Sequence, residues 1–255
     1  MVIISHQNRF VFFKPIKVAG SSVEACLTKH CGPDDVLTGS DILSEREEHG
    51  YTDRNSTLSG RRLHMHTSPA LLRSIDDTSW SNYFKFTITR NPWEVVVSYF
   101  WWCFYSPDSP YSDLSNSLIS EEGSKETIAE SMSPKKDDTP TALRRKFSKF
   151  VESVGSFNTG PRGDEGLNQI IDWLSRTNWE FYQADTDFTL RYETLQADYD
   201  KVCKVIRIPT DTLPHLKRDQ RKSTLPYWDY YDDLSRIQVK VAFEHTIRKF
   251  EYQFR

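Results

Sequence analysis

The sequence predicts an α/β fold in which a mostly parallel sheet is flanked by helices. Short apolar strand patterns at residues 10–13 and 84–89 are each followed by a polar turn and a helical pattern. A third such unit begins near residue 187. Strands that alternate with helices are typical of parallel sheets. With 255 residues and no internal repeat, the chain suits a single domain over residues 1–255 with a full core, or at most two small domains.

Each element follows from the spacing of its apolar residues. Strand patterns are short or alternate in polarity, whereas helical patterns repeat an apolar residue every three or four positions. The predicted strands are Phe10–Phe13, Phe84–Thr89 and Asp187–Arg191. The predicted helices cover Ser22–His30, a segment beginning at Pro92, Leu143–Val154, Leu167–Leu174, Leu195–Ile206 and Val239–Phe250. Residues 33–61 and 106–166 are polar and rich in turn formers, which predicts loop or lid insertions.

Composition and charge exclude several classes of protein. Ten Gly and 12 Pro are too few for a collagen-like or low-complexity chain. The formal net charge of -3 argues against a surface that binds nucleic acid or an anionic membrane. Aromatic residues make up 13% of the chain, so they are expected to supply core or ligand-binding surface that aliphatic residues usually supply.

The first residues and the cysteines predict a cytoplasmic protein. The N-terminal run has no basic region followed by a long apolar stretch, so no secretory signal is expected. The longest apolar stretch, residues 93–105, is shorter than the roughly 20 residues that span a bilayer. The four cysteines have neither C-x-x-C nor metal-ligand spacing, which predicts reduced thiols without a metal.

The first candidate anion-binding feature is the turn after the first strand, K-V-A-G-S-S at residues 17–22. A strand that leads through small residues into a helix aims backbone N–H groups and the positive helix end at one point. Lys17 adds a positive charge there, and Ser21 with Glu24 has the spacing of a capping box. The nucleoside-triphosphate pattern G-x-x-x-x-G-K-[ST] is absent, because Lys17 precedes Gly20. A tight turn without a ligand fits the same residues.

The second candidate feature is R-N-P-W-E-V-V-V-S-Y at residues 90–99. Arg90 stands at the end of a strand, Asn91 is suited to cap a helix, and Pro92 suits its first position. Ser98 lies nearly two helical turns after Asn91, so Arg90 and Ser98 are predicted to meet at one oxyanion. An ordinary salt bridge of Arg90 is the alternative. Two such strand–turn–helix units in one chain predict a ligand with two separate anionic groups.

These two runs resemble the 5′-phosphosulfate loop and the 3′-phosphate motif of sulfotransferases that use 3′-phosphoadenosine 5′-phosphosulfate (PAPS). The closest likeness is to the carbohydrate-type and bacterial family 2 members. It extends to H-M-H-T at residues 64–67, L-R-Y-E-T-L at residues 190–195 and R-K-S at residues 221–223. Family members usually have Pro directly before the loop lysine, where this chain has Ile16. The resemblance implies a P-loop-like central parallel sheet.

The resemblance also implies which residues bind the donor. In-line sulfuryl transfer builds negative charge on the bridging oxygen, which Lys17 is placed to stabilise. Arg90 and Ser98 would hold the 3′-phosphate. The R-K-S run at residues 221–223, a basic turn, would close over that phosphate. An ordinary run of solvated charges explains these residues equally well. The residues implied to hold the 5′-phosphosulfate are Lys17, Val18, Ala19, Gly20, Ser21 and Ser22, and those of the basic turn are Arg221, Lys222 and Ser223.

His66 is the candidate base for the acceptor hydroxyl. It stands at the predicted end of a short strand, Arg62–His66, and the family tends to place a histidine there. Imidazole titrates near neutral pH and suits general base catalysis. A purely structural histidine is the alternative. Glu24 and Glu94 are rival bases, but each has a capping position that accounts for it.

The sequence as a whole therefore predicts a PAPS-dependent sulfotransferase, with PAP as product. The acceptor is expected to be a hydroxyl group of a saccharide or small metabolite, with no nucleic acid, membrane or metal involved. A kinase that uses ATP and Mg²⁺ is one alternative. A nucleotide-binding module without activity is another. Trp93, Trp101 and Trp102 lie close to the second motif, where they fit a core better than a base-stacking role.

Overall fold

The chain divides into two compact units, Met1–Arg90 with Arg176–Leu216 and Asn91–Ser175 with Lys217–Arg255. The computed structural model describes residues 2–39, 53–64, 66–105, 131–156, 182–216 and 221–255. The described strands are β1 (Val2–Ser5), β2 (Phe10–Phe13), β3 (Val36–Leu37), β4 (Thr57–Leu58), β5 (Arg61–Arg62), β6 (Phe84–Thr89) and β7 (Phe188–Arg191). The described α-helices are α1 (Gly20–Leu27), α2 (Pro69–Ile75), α3 (Asp77–Asn82), α4 (Pro92–Tyr105), α5 (Pro140–Ser156), α6 (Leu195–Ile206), α7 (Asp233–Ala242) and α8 (Glu244–Phe250).

The first unit is organised by a five-stranded mixed sheet with the order β3-β1-β2-β6-β7. β2 pairs with β6, and β6 with β7, in parallel, as the sequence predicts. β1 pairs antiparallel with both β2 and β3. The expectation of a parallel sheet is therefore wrong for this edge. The physical reason is the short connection over residues 6–9, which allows only an antiparallel hairpin between β1 and β2.

The central strands are buried on both faces. β1 and β2 carry no exposed residue, and even Thr87 and Thr89 of β6 are buried. Thr87 keeps its hydroxyl satisfied there by donating to the carbonyl oxygen of Phe13 at 2.9 Å. On one face, Phe86 packs between Phe10 and Phe12, with ring centroids 5.7 and 5.3 Å away. This packing fixes the register of the two strands whose ends carry the predicted motifs.

The second unit has an aromatic core, as the composition predicts. The Phe100 ring of α4 meets the Phe147 and Phe150 rings of α5 at centroid distances of 5.4 and 5.2 Å. Trp101 is fully buried and donates its indole N–H to the Tyr230 hydroxyl at 3.1 Å. Trp93 and Trp101 are thus core residues. The helix predicted around Leu143–Val154 is confirmed by α5.

Three further predictions about the helices have different outcomes. α6 confirms the helix predicted over Leu195–Ile206. The prediction of a single C-terminal helix is wrong, because Phe243 separates α7 from α8 and its backbone leaves the helical region. The helix predicted over Leu167–Leu174 lies outside the described residues. Among the helices that are described, none is long and apolar enough to cross a membrane.

Candidate functional site

The turn between β2 and α1 has an unusual backbone. Lys17 and Ala19 both adopt left-handed conformations, with φ of 57° and 65°. Such values are uncommon for residues other than glycine and are concentrated at ligand-binding sites. Gly20 is the first residue of α1, so a left-handed residue is followed directly by a helical one. This alternation turns successive N–H groups to one side and forms a concavity suited to an anion.

The helix after this turn begins differently from the prediction. The N-cap residue of α1 is Ala19, which has no capping side chain, and Ser21 lies buried inside the first turn. Glu24 instead accepts from the Lys14 ammonium, with 2.8 Å between Nζ and Oε2. The predicted capping box of Ser21 and Glu24 is therefore wrong, because the Glu24 carboxylate forms a buried ion pair. The prediction that this turn opens a helix is confirmed.

Gly20 is required by a close approach of the chain to itself. A Cβ atom at this position would lie 2.5 Å from Cγ and 3.1 Å from Cδ of Lys14. The Lys14 stem therefore crosses directly over the start of α1. Ser22, two residues later, is buried, and its Oγ accepts from the backbone N–H of Leu216 at 3.4 Å. The start of α1 is thus restrained by Lys14 at Gly20 and by Leu216 at Ser22.

Arg90 stands directly after β6, at the predicted tip of the strand. Its guanidinium donates to the carbonyl oxygen of Lys17 at 3.0 Å. The same group lies over the ring of Tyr192, 4.0 Å from the centroid. Lys17, Arg90 and Tyr192 follow the adjacent parallel strands β2, β6 and β7. They therefore meet at the carboxyl ends of these strands, which is where ligands bind in α/β sheets.

The turn that carries Tyr192, whose ring lies under the Arg90 guanidinium, is a feature that the sequence did not predict. Tyr192 begins a short 3₁₀ turn, Tyr192–Thr194, between β7 and α6. Asp198 closes this turn from α6, because one carboxylate oxygen accepts from the Arg191 N–H at 3.0 Å and from the Thr194 hydroxyl at 2.9 Å. The sequence signal for this turn is the R-Y-E-T-L run at residues 191–195, which marks the end of a strand.

Asp198 is expected to stabilise the fold only where it is ionised. Burial by itself would raise the pKa of Asp198, but hydrogen bonds from Lys201, the Arg191 N–H and Thr194 outweigh it and lower the pKa. A lowered pKa adds stability above the unfolded value of about 3.9, and that stability is lost as the pH falls through the folded pKa.

Asp198→Asn is therefore expected to lower the free energy of unfolding by about 1–3 kcal/mol at pH 7. The difference from wild type should shrink below about pH 4. Urea denaturation at several pH values measures this. Asp233→Asn is the matched control, because the Asp233 side chain is 92% exposed. If the loss of unfolding free energy in Asp198→Asn stays constant with pH, the electrostatic explanation is contradicted.

His66 lies beside the same turn. Its Nδ1 is 2.9 Å from the carbonyl oxygen of Lys14. Because a carbonyl oxygen only accepts, Nδ1 must carry the proton, and the lone pair of the neutral ring is then on Nε2. The Tyr182 hydroxyl donates to the His66 carbonyl oxygen at 2.8 Å. Burial raises the pKa of Tyr182, so its hydroxyl remains a donor.

The strand predicted over Arg62–His66 is wrong. β5 ends at Arg62, and His66 lies in a turn instead. Thr67 is the physical reason, because its Oγ1 accepts from the His64 N–H at 2.8 Å and donates to the His64 carbonyl at 2.9 Å. These bonds occupy the backbone groups that a strand would need for pairing.

The remaining predicted residues belong to the second unit. Asn91 caps α4 as predicted, accepting from the Trp93 N–H at 3.1 Å. Ser98 lies half-buried on α4. Arg221 donates to the Leu225 carbonyl and lies over the Tyr230 ring, 5.3 Å from its centroid. Lys222 is exposed, and the Ser223 hydroxyl accepts from the Leu225 N–H at 3.2 Å. The basic turn is thus tied to its own unit.

The described residues offer no metal-binding arrangement. Over these ranges, no group of three or more His, Cys, Asp or Glu side chains is placed to hold a metal ion. All four cysteines are free thiols. Desolvation raises the pKa of Cys26, Cys31 and Cys203, so these groups are poor nucleophiles near neutral pH. The cationic groups near the strand ends include Lys17 and Arg90, with the His66 imidazole beside the turn, and such groups suit an anionic ligand and proton transfer.

Comparison with known proteins agrees with this geometry. The sequence model of the sulfotransferase family matches residues 1–249, which is almost the entire chain of 255 residues. No curated protein and no solved structure matches the chain. Because the family match covers both predicted anion motifs and all the strands of the sheet, the chain belongs to the sulfotransferase family.

Proposed function

We propose that this protein transfers the sulfuryl group of PAPS to a hydroxyl group of a saccharide or small metabolite. Family membership supports sulfuryl transfer in general. The observation that carries the proposal further is the hydrogen bond between the Arg90 guanidinium and the Lys17 carbonyl oxygen, 3.0 Å long. It joins Arg90 of one motif to the turn of the other, which supports a ligand with anionic groups at two positions.

The turn is proposed to hold the 5′-phosphosulfate in the manner of a P-loop. The N–H groups of residues 18–22 would bind the anion, and Lys17 would stabilise the charge that develops on the departing phosphate oxygen. The donor supplies a sulfur–oxygen bond that breaks as the acceptor oxygen bonds to sulfur. Positioning and charge stabilisation provide most of the rate in the related chemistry of phosphoryl transfer.

His66 is proposed as the general base. Its Nδ1 proton is held by the Lys14 carbonyl, so Nε2 has the lone pair that accepts the proton of the acceptor hydroxyl. The hydroxyl oxygen gains nucleophilicity as it loses this proton. Ser98 and the basic turn Arg221–Ser223 are proposed as further contacts of the 3′-phosphate, and for these residues the support is the motif resemblance alone.

Thermal unfolding and a transfer assay test the proposal together. PAP at about 100 times its Kd is expected to raise Tm by about 5–10 °C, whereas ATP with Mg²⁺ should not. The protein should also move radiolabelled sulfuryl from PAPS to members of an acceptor panel. Stabilisation by ATP with Mg²⁺ alone would instead indicate a kinase. Stabilisation by PAP without transfer to any acceptor would indicate a binding module.

Arg90→Met is expected to weaken PAP binding by about 10- to 100-fold, the usual cost of losing a hydrogen bond to a charged group. The long apolar side chain keeps the volume over Tyr192 but removes the charge. Calorimetric titration with PAP measures the Kd. Arg73→Met is the matched control, because Arg73 is exposed on α2 and lies over the ring of Trp80. Equal Kd values for Arg90→Met and wild type would remove Arg90 from the donor site.

A further inference from the structure

Lys14 is a buried lysine that contacts Gly20, Glu24 and His66 around the proposed catalytic turn. It follows β2 directly and is 7% exposed, and its partner Glu24 is 1% exposed. Resting on the proposed function, we infer that Lys14 is a positioning residue for sulfuryl transfer. Its side chain holds the turn that carries Lys17, and its carbonyl oxygen orients the imidazole of His66.

The side chain closes the turn across its base. The Lys14 ammonium lies 2.8 Å from Glu24 Oε2, on the second turn of α1, while Lys14 itself lies at the end of β2. Between these two ends, the methylene stem lies against Gly20, where any Cβ would collide with it. An ion pair in a low-dielectric interior is strong and geometrically restrictive. It therefore restrains residues 15–19, the segment with two left-handed residues.

The backbone of Lys14 contacts His66. Its carbonyl oxygen accepts from His66 Nδ1 at 2.9 Å, which selects one tautomer of the neutral ring. A histidine whose second nitrogen is oriented by a carbonyl group presents a defined base to its substrate. One residue thus couples the position of the charge-stabilising Lys17 to the orientation of the base.

A purely stabilising role is the alternative explanation for this pair. Replacing both members of a buried ion pair by uncharged residues of similar size is often neutral for stability, whereas removing one member leaves a buried charge. Stability and positioning therefore predict different results for the double variant. If the pair only stabilises, activity should recover together with Tm when both charges are removed. If it positions, activity should stay low.

The test uses Lys14→Met, Glu24→Gln and the double variant, all of which keep the stem or the shape of the side chain. Lys29→Met is the matched control, because Lys29 pairs with Asp211 at 3.2 Å but is 60% exposed. Each single variant and the double variant are expected to have kcat lowered by about 10- to 100-fold, as for other misplaced catalytic groups. Tm should fall in the single variants and recover in the double variant. Lys29→Met should match wild type in both.

A second measurement does not depend on activity. Imidazole ¹⁵N chemical shifts distinguish a ring protonated on Nδ1 from one protonated on Nε2, and His66→Gln assigns the signals among the seven histidines. Wild type should show His66 protonated on Nδ1. The double variant keeps the Lys14 carbonyl but loses the ion pair that holds it in place, so it should show a mixture of tautomers. A double variant with wild-type kcat and an unchanged His66 tautomer would overturn the inference.

The two proposals fail in different ways. If wild type transfers nothing from PAPS, the proposed function is wrong, and the tautomer measurement still decides whether Lys14 orients His66. If wild type is active and the double variant equals it, only the role of Lys14 is wrong. Where a single variant does not fold, the double variant, which contains no unpaired buried charge, decides the question.

Discussion

Alanine in place of Lys17 is expected to lower kcat by about 10²–10³-fold, the usual cost of removing one group that stabilises a developing oxyanion. Lys17 occupies the turn whose N–H groups face the proposed 5′-phosphosulfate, and its carbonyl oxygen is held by Arg90. Because the charge develops mainly in the transition state, kcat should fall more than the affinity for PAPS. Steady-state kinetics with PAPS and a fixed acceptor measure both quantities.

Two controls separate this effect from damage to the turn. The backbone of Lys17 has a φ of 57°, which strains alanine as much as lysine, so Tm should change little. Lys17→Arg keeps the charge but changes its geometry and should recover only part of the rate. Full PAPS-dependent turnover by Lys17→Ala would show that the residue has no part in the transfer step.

His66→Ala is expected to lower kcat by about 10²–10⁴-fold, the range for losing a general base. A base must be deprotonated to act, so the wild-type rate should rise with pH as the His66 imidazole loses its proton. The variant should lose this dependence while its Kd for PAP stays close to that of wild type. A pH–rate profile and calorimetric titration with PAP provide the two measurements.

His64→Ala is the matched control for the base. His64 is exposed, and its turn is held by backbone bonds with Thr67 that alanine preserves. We expect its kcat and pH profile to equal those of wild type. Near-normal turnover of His66→Ala with an unchanged pH profile would assign the base to another group. If kcat falls in His64→Ala and not in His66→Ala, His64 is the base.

Local pattern was enough to predict the elements whose apolar spacing is regular. The strands β2 and β6, the helix α6 and the Asn91 cap were predicted from the sequence, because each depends on neighbouring residues. β1 was missed, although Val2–Ser5 is fully buried. Its three apolar residues form too short a run for their spacing to indicate a strand. Because both antiparallel pairings of the five-stranded sheet involve β1, the sequence did not predict this part of the sheet.

The contacts that define the site could not be found in this way. Glu24 has the correct spacing for a cap, but its carboxylate pairs with Lys14, a choice decided by burial and the folded chain. Tyr192 is far from Arg90 in sequence, and nothing local indicates that the two side chains stack. Motif resemblance predicts which residues form the proposed site, whereas their partners depend on the tertiary structure.

The separation of the site residues along the chain has a consequence for folding. Thr87 and Phe13, which bond across β6 and β2, are 74 residues apart, and Lys85 and Asp187, at the β6–β7 pair, are 102 apart. Contacts between distant residues carry a loop-closure entropy and slow folding. The ends of the three parallel strands therefore come together only when these pairings are complete. A chain that lacks these pairings has not brought Lys17, Arg90 and Tyr192 together, so the proposed donor site is expected to form during refolding only together with the sheet.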